Sequence, residues 1–346
     1  MADLSPNSMR GRATRSPELW MAVAALVVYL RVQLRRLARW AKNMNETSRA
    51  VKLWAPGAGE RIMAGPLGTR IISREHAQSS VLLLHGLGTS GDYYGQAWDE
   101  LGRDSQLVVP DMLGFGRSRD TSLPARAFAL AGHLDALDKM MAETVPESHE
   151  LVLVGHSFGG LLALHLAARH VDRVRGVVLI ATPFHDSYEA AEHHIVSRSR
   201  FNRYFTLDRY LAQGLCRFLV RYPTIGMRFA RLMAPTLPRE VVDQTLQQSW
   251  NAYVGSLRCL LADRGWRRDL KKLRVAGVDV HIVYGGDDHT VERDLYIHDG
   301  VRTTMFHDAA HQLPITEPHW CARIVSELLP AGESIIQPVV VDQPGA

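Results

Sequence analysis

A serine between glycines is the feature of the chain whose residue types and spacing most clearly point to chemistry. Ser157 is the third residue of GHSFGG at 155–160. The apolar run LVLV at 151–154 predicts a strand buried on both faces, and LLALHLAA at 161–168 predicts a helix. On such a tight turn the serine backbone is strained, and its hydroxyl stands clear of the sheet beside the N–H groups of the helix. The pattern therefore predicts a nucleophile next to a place where a developing oxyanion can bind.

Further segments along the chain carry recognisable motifs in a fixed order. They are SVLLLHGLG at 80–88, LVVPDMLGFGRS at 107–118, VHIVYGGDD at 280–288 and FHDAAH at 306–311. Together with the serine motif they resemble the α/β-hydrolase superfamily over roughly residues 54–332. The resemblance implies an α/β-hydrolase fold: a mostly parallel central sheet flanked by helices, with a helical cap insertion. An N-terminal hydrophobic and amphipathic helix is expected to precede it.

The resemblance also implies roles for individual residues. Ser157 would attack an acyl carbonyl, and His311 would take its proton and later protonate the leaving group. The backbone N–H groups of Leu87, in the HGLG loop, and of Phe158, directly after the serine, would form the oxyanion hole.

A carboxylate must hold the imidazole of His311 in the correct tautomer. The family places this acid three residues after the first glycine of its loop, so Gly285 points to Asp288. Asp287 remains a second candidate, because one sequence does not exclude a shift by one residue.

Other polar residues beside these motifs have a structural explanation. His85 is predicted to tie the HGLG loop together, and His156 to be packed or hydrogen-bonded at the turn. Asp111 follows a predicted strand, but the neighbouring Gly114 and Gly116 favour a structural turn over a triad acid.

No metal and no organic cofactor are expected. His185, His193 and His194 are close in sequence, but no cysteine or second histidine pair stands at ligand spacing there. The three cysteines (Cys216, Cys259 and Cys321) fit neither a disulfide framework nor a zinc site.

The net charge of +4 is distributed unevenly. Residues 1–53 carry ten Lys and Arg against three acidic residues, which makes them +7 and leaves the remainder of the chain at −3. Because the basic charge is concentrated in this arm and no recognition module appears, nucleic acid is not an expected partner.

Residues 17–42 are predicted to form a membrane-seeking helix. The twelve apolar residues at 19–30 would span about 18 Å, against roughly 30 Å for a hydrocarbon core. Arg31, Arg35 and Arg39 share one face of the second half. A spanning helix, an interfacial helix, a signal peptide and a soluble packed helix are alternatives, although basic residues directly after the apolar run argue against the signal peptide. We expect a membrane-associated protein, with the side of the membrane undetermined, and otherwise a cytoplasmic one.

The stretch between the two core segments is too long for a loop and predicts several helices. Between 184 and 240 it holds nine arginines and five acidic residues, and 249–272 is predicted to be a single core helix. The predicted organisation is a disordered basic arm at 1–16, the helix at 17–42, core segments at 54–183 and 249–332, a helical cap at 184–248 and a tail at 333–346.

The favoured function is hydrolysis of carboxylic esters through an acyl-enzyme on Ser157. A basic, apolar-studded cap beside a membrane-seeking arm favours hydrophobic or lipid esters such as monoacylglycerols. Acyl transfer, thioester hydrolysis and carbon–carbon bond hydrolysis by the same triad remain open, as does a non-catalytic binding protein. Epoxide hydrolases of this superfamily place an aspartate at the turn, and Ser157 argues against that chemistry. Oligomeric state is undetermined.

Overall fold

A computed structural model describes residues 53–191, 214, 218, 222–233, 237–244, 248–296 and 300–330. These residues belong to one unit, Glu46–Ala346. The predicted arm and helix at 1–42, the tail at 333–346 and much of the predicted cap lie outside them, so the domain boundaries stay predictions. In the part of the chain that is described, no helix is both long and apolar enough to cross a membrane.

One sheet of eight strands organises the described residues, in the order β1-β2-β4-β3-β5-β6-β7-β8. The first strand pairs antiparallel with the second and the second with β4, and all other pairs are parallel. This is the mostly parallel sheet expected from the sequence. The strands are β1 Glu60–Ala64, β2 Leu67–Ile72, β3 Ser79–Leu84, β4 Gln106–Pro110, β5 Glu150–His156, β6 Val174–Ile180, β7 Asp279–Gly285 and β8 Arg302–Phe306.

The central strands are apolar on both faces because helices cover both sides of the sheet. On β5, Leu153 packs into the core on one side of the sheet, whereas Val152 and Val154 pack into the core on the other. This alternation has the period of two that side chains follow along a strand. Because the central strands run parallel, their carboxyl ends lie at one edge of the sheet. Ser157 follows β5 at this edge, and the predicted acid loop follows β7.

The helices that bear on the site are α1 Leu130–Thr144, α2 Phe158–Arg169, α3 Pro223–Met233, α4 Arg239–Gln244, α5 Trp250–Ala262, α6 Trp266–Val275, α7 Leu313–Thr316 and α8 Pro318–Ser326.

The predicted single helix at 249–272 is two helices, α5 and α6. Asp263 is extended at the end of α5, and its carboxylate accepts the backbone N–H groups of Gly265 and Trp266, each at 3.2 Å. An aspartate that captures backbone donors in this way offers the chain an alternative to a continuing helix. The prediction of a single helix was therefore wrong at this point.

Within the predicted cap, α3 and α4 are described. Arg231 of α3 forms a two-pronged ion pair with Asp243 of α4, at 3.0 and 2.6 Å. This pair joins the two helices next to the sheet edge where the predicted site lies.

Candidate active site

Ser157 lies on a strained turn between β5 and α2. Its φ of 54° and ψ of −120° are unusual for a residue with a side chain. Glycine is required on both sides of it: a Cβ at Gly155 would collide with the carbonyl oxygen of Gly159, and a Cβ at Gly159 with that of Leu84. The strand and helix therefore approach closely enough to force the serine onto the turn, where it stays partly exposed.

The carboxylate that contacts His311 is that of Asp288. Asp288 Oδ2 lies 2.8 Å from His311 Nδ1, and the aspartate is 2% exposed. Asp288 follows β7, and His311 lies in the loop between β8 and α7. The backbone N–H of Asp287 donates to the carbonyl of Ala309 at 2.9 Å, which holds the two loops together. This geometry favours Asp288, the first of the two candidate acids.

Thr290 completes the surroundings of this carboxylate, and the sequence analysis did not identify it. Asp288 Oδ1 accepts both the backbone N–H and the hydroxyl of Thr290, each at 2.7 Å. The Thr290 hydroxyl also lies 2.8 Å from His311 Nδ1. Burial by itself would raise the pKa of Asp288, but the hydrogen bonds from His311 and Thr290 hold it below the usual range. An aspartate followed two residues later by a threonine is the sequence signal of such a turn.

His156 holds His311 through a hydrogen bond and a contact between the two rings. His156 Nε2 donates to the backbone carbonyl of His311 at 2.9 Å, and the two rings are 4.7 Å apart. On its other face Tyr93 stacks at 5.0 Å and donates its hydroxyl to Gln312 Oε1 at 2.6 Å. Burial lowers the pKa of His156 to about 3, so its ring is neutral. These contacts agree with the structural role predicted for His156.

The HGLG loop lies directly against the serine. A Cβ built on Gly86 would be 3.4 Å from Ser157 Cβ and 3.0 Å from His156 Nδ1. Leu87 follows Gly86, and Phe158 is the first residue of α2. The two residues predicted to supply the oxyanion hole therefore belong to the segments that flank Ser157.

His85 and Asp111 hold this loop in place. His85 Nε2 accepts the backbone N–H of Met112 at 2.8 Å, so Nδ1 carries the proton and donates to the Gly86 carbonyl at 2.9 Å. Asp111 accepts the backbone N–H groups of Gly91 and Arg117, both at 2.7 Å. Both side chains are buried and engaged in backbone contacts, in agreement with their predicted structural roles.

The cap helix α4 reaches the same loop through Gln244, which the sequence analysis did not identify. Gln244 Oε1 accepts the hydroxyl of Ser90, and Gln244 Nε2 donates to Asp92 Oδ2 at 2.6 Å. Asp92 is held in turn by Arg117 at 3.0 Å. Ser90 stands two residues after the HGLG loop, so this amide braces the loop from the cap side. The pairing joins residues 154 positions apart, which no local sequence signal would disclose.

Among the residues that the structure describes, no group of three or more His, Cys, Asp or Glu side chains is arranged to hold a metal ion. The same edge of the sheet holds a hydroxyl on a strained turn, an imidazole paired with a buried carboxylate, and the HGLG loop, which lies against the serine. These are the parts needed for nucleophilic attack on a carbonyl.

Curated relatives of the chain include hydrolases of several kinds. A 2-hydroxy-6-oxo-2,4-heptadienoate hydrolase of Pseudomonas putida (strain ATCC 700007 / F1) is 26% identical over 294 residues, which are 79% of this chain and 96% of that protein. A pimeloyl-[acyl-carrier protein] methyl ester esterase of Xanthomonas oryzae pv. oryzae is 33% identical over 153 residues, 44% of this chain and 56% of that protein. Other relatives match over shorter stretches, and the chain spans only 44% or 32% of their length.

Among solved structures, the N-formylmaleamic acid deformylase of Pseudomonas putida S16 superimposes with a TM-score of 0.56 at 18% identity, covering 78% of this chain and 100% of that one. At this identity the likeness concerns the fold. Residues 79–317 match the family described as the alpha/beta hydrolase fold, which confirms the fold and the superfamily predicted from the motifs. A strained serine turn at the end of β5, a sheet of this strand order and a match across most of the chain lead to one conclusion: the protein belongs to the alpha/beta hydrolase family.

Proposed function

We propose that the protein is a serine hydrolase that cleaves carboxylic esters through an acyl-enzyme on Ser157. The observation that carries the proposal is the contact of 2.8 Å between the buried carboxylate of Asp288 and His311 Nδ1. It leaves Nε2 as the nitrogen available to act as a base. The contact of the HGLG loop with Ser157 adds a place for the oxyanion.

The steps follow from these positions. The Ser157 oxygen bonds to the acyl carbon while its proton passes to His311 Nε2, and the oxyanion accepts the N–H groups of Leu87 and Phe158. His311 then gives the proton to the leaving alcohol as the carbon–oxygen bond breaks. Water then bonds to the acyl carbon and loses a proton to His311. The bond between that carbon and the Ser157 oxygen breaks, Ser157 takes the proton back from His311, and the acid is released. Asp288 stabilises the imidazolium formed in each half-reaction.

We further propose that the substrates are hydrophobic or lipid esters, such as monoacylglycerols. Among the described residues of the predicted cap, the exposed large hydrophobic side chains include Phe218 (45%), Tyr222 (51%) and Ile225 (50%). Phe218 and Tyr222 contact each other with ring centroids 4.9 Å apart. Exposed aromatic and aliphatic groups on a basic cap suit a surface that meets lipid. The curated esterase relative acts, by its name, on a methyl ester.

A second candidate, hydrolysis of a carbon–carbon bond, is favoured by the length of one match. The heptadienoate hydrolase is matched over 96% of its length. The compound in its name contains neither an ester nor an amide, so its hydrolysis breaks a carbon–carbon bond. A base, an oxyanion site and a water route would serve that reaction too.

The test begins with an active-site fluorophosphonate on wild type, Ser157→Ala and His311→Ala. We expect wild type to be labelled, Ser157→Ala to be unlabelled and His311→Ala to be labelled far more slowly. Monoacylglycerols of graded chain length, a thioester and 2-hydroxy-6-oxo-2,4-heptadienoate are then compared, with and without an added alcohol as acyl acceptor. Turnover of the dienoate alone would move the second candidate ahead. A folded wild type that neither labels nor turns over any substrate would favour a binding protein.

We propose as well that residues 17–42 attach the protein to a membrane surface, a prediction that rests on the sequence alone. Flotation of the full chain with anionic vesicles is expected, together with weaker flotation of a variant with Arg31, Arg35 and Arg39 changed to Glu. Release by alkaline carbonate would indicate an interfacial helix, and retention a spanning one. Equal flotation of both proteins with anionic vesicles would contradict the role of the arginines.

A further inference from the structure

We propose that Thr290 is a positioning residue whose hydroxyl selects the tautomer of His311. The inference rests on the proposed function, since the tautomer matters because Nε2 must be free to act as a base. The Thr290 hydroxyl lies 2.7 Å from Asp288 Oδ1 and 2.8 Å from His311 Nδ1, while Asp288 Oδ2 lies 2.8 Å from the same nitrogen.

The protons of this triangle can be assigned by elimination. An ionised Asp288 only accepts, so its contact with His311 requires a proton on Nδ1. The Thr290 hydroxyl has one proton and two acceptor lone pairs. It gives the proton to Asp288 Oδ1 and offers a lone pair to the Nδ1–H of His311. The alternative tautomer, with Nδ1 bare, would place an unprotonated nitrogen beside the carboxylate and forfeit that contact.

Thr290 also contacts the buried carboxylate of Asp288 from the exposed side. Thr290 itself is exposed, yet the side chain of Asp288 beneath it is 0% exposed. A residue with the shape of threonine but no hydroxyl would keep water away from Asp288 Oδ1 and remove a donor at the same time. The backbone N–H of residue 290 would remain, so the turn itself would persist.

These features define a matched pair of variants. Thr290→Val keeps the shape and loses the hydroxyl, whereas Thr290→Ser keeps the hydroxyl and loses the methyl group. Because residue 290 is exposed, both variants are expected to fold, which their thermal unfolding would verify. If Thr290 acts through packing, Thr290→Ser should lower activity more. If it acts through its hydroxyl, Thr290→Val should lower activity more.

The experiment measures the fluorophosphonate labelling rate, kcat and KM for an ester, and the imidazole signals of the protein labelled with ¹⁵N-histidine. The signal of His311 is assigned by its loss in His311→Ala. We expect Thr290→Val to lower the labelling rate and kcat about 10-fold, since the hydrogen bonds lost involve charged groups. KM should stay unchanged, and the Nδ1–H tautomer should lose population. Thr290→Ser should remain within about 2-fold of wild type in all readouts.

Wild-type rates and an unchanged Nδ1–H signal in Thr290→Val would overturn the inference, as would a loss in Thr290→Ser equal to that in Thr290→Val. Failure of the proposed function looks different, because wild type itself would then remain unlabelled. In that case the imidazole signal of Thr290→Val still decides whether the hydroxyl selects the tautomer.

Discussion

Carboxylates contact several imidazoles in the described part of the chain, and two of these, His311 and His165, have surroundings that give them opposite properties. At His311, the contacts with Asp288 and Thr290 both involve Nδ1. At His165, both nitrogens face carboxylates: Nδ1 lies 2.6 Å from Asp269 Oδ2 and Nε2 lies 3.0 Å from Asp263 Oδ1. The second approach is an ion-pair contact without good hydrogen-bond direction. An imidazole that meets a carboxylate at one nitrogen can take up and release a proton at the other. An imidazole that meets carboxylates at both nitrogens is held as the cation and so stores charge.

The electrostatics of the His165 cluster support this reading. Burial lowers the pKa of His165, but the hydrogen bonds and charges of Asp263 and Asp269 outweigh it and raise that pKa above 6.5. The imidazolium in turn helps to lower the pKa values of both aspartates against the effect of their burial. His165 lies on α2, the helix that begins next to Ser157, whereas Asp263 ends α5 and Asp269 lies in the first turn of α6. The cluster therefore fastens the helix of the serine turn to the rest of the fold.

The largest expected effect is the difference in activity between a variant of His311 and a variant of His165. His311→Gln should lower the fluorophosphonate labelling rate by a factor on the order of 10⁶, because the serine loses its base. His165→Gln should stay within about 3-fold of wild type, since His165 contacts no residue of the proposed triad. Labelling rates at equal folded fraction provide the measurement. Equal losses in both variants would break the comparison.

The next effect concerns Asp288, the carboxylate proposed to orient His311 as a base. Asp288→Asn should lower kcat on the order of 10⁴-fold, since an amide no longer holds Nδ1–H. Asp287→Asn is the matched control and should lower kcat less than about 10-fold. Ester hydrolysis under substrate saturation measures both. A greater loss in Asp287→Asn would reassign the acid to the second candidate.

For stability we expect the opposite order: replacing His165 should destabilise the protein more than replacing His311. His165→Gln removes the cation that faces Asp263 and one of the two cations that face Asp269, whose other partner is Arg268 at 2.7 Å. It should lower the free energy of unfolding by about 3 kcal/mol. Urea denaturation of wild type, His165→Gln and His311→Gln gives the values. His311 is partly exposed, and its replacement should cost less than that of His165. A loss for His311→Gln as large as that for His165→Gln would contradict the structural assignment of the buried cluster.

The pH dependence sharpens the same contrast. Because the folded-state pKa of His165 is raised above 6.5, its charge contributes stability that is fully present below that value and is lost as the pH rises through the folded pKa. The difference in free energy of unfolding between wild type and His165→Gln should therefore shrink on the alkaline side. Denaturation between about pH 5 and 9 covers this window, above the depressed pKa values of the aspartates. A difference that grows with pH would contradict a charged His165.

The smallest expected effect concerns the HGLG loop, where we propose that the oxyanion binds. Gln244→Ala should lower kcat about 3- to 10-fold, because Ser90 and Asp92 lose the amide that braces the loop. Asp243→Asn provides the control: it weakens the pair with Arg231 on the same helix and leaves the amide in place. A comparison of kcat for the two variants measures the contribution of the cap. An equal loss in both would assign the effect to α4 as a whole.

Much of the fold could be predicted because it depends on short apolar runs and on glycines. The LVLV run of β5 is buried on both faces as expected, and the glycines at 155 and 159 stand where any Cβ would collide. The β1–β2 hairpin could not be found in the same way, because β1 is largely exposed and has no alternating apolar pattern. The division of α5 from α6 was missed because it depends on the backbone contacts of one carboxylate, that of Asp263.

The sequence by itself determined the superfamily, the order of the core strands' motifs and the serine at the turn, because these are local patterns of residue type and spacing. Only the tertiary structure placed carboxylates at both nitrogens of His165 and brought Asp288 and Thr290 to the same nitrogen of His311. His165 meets Asp269 across 104 positions, and Gln244 meets Ser90 across 154. Whether an imidazole exchanges protons or stores charge depends on which of its nitrogens meet carboxylates, and that is decided by packing between distant segments.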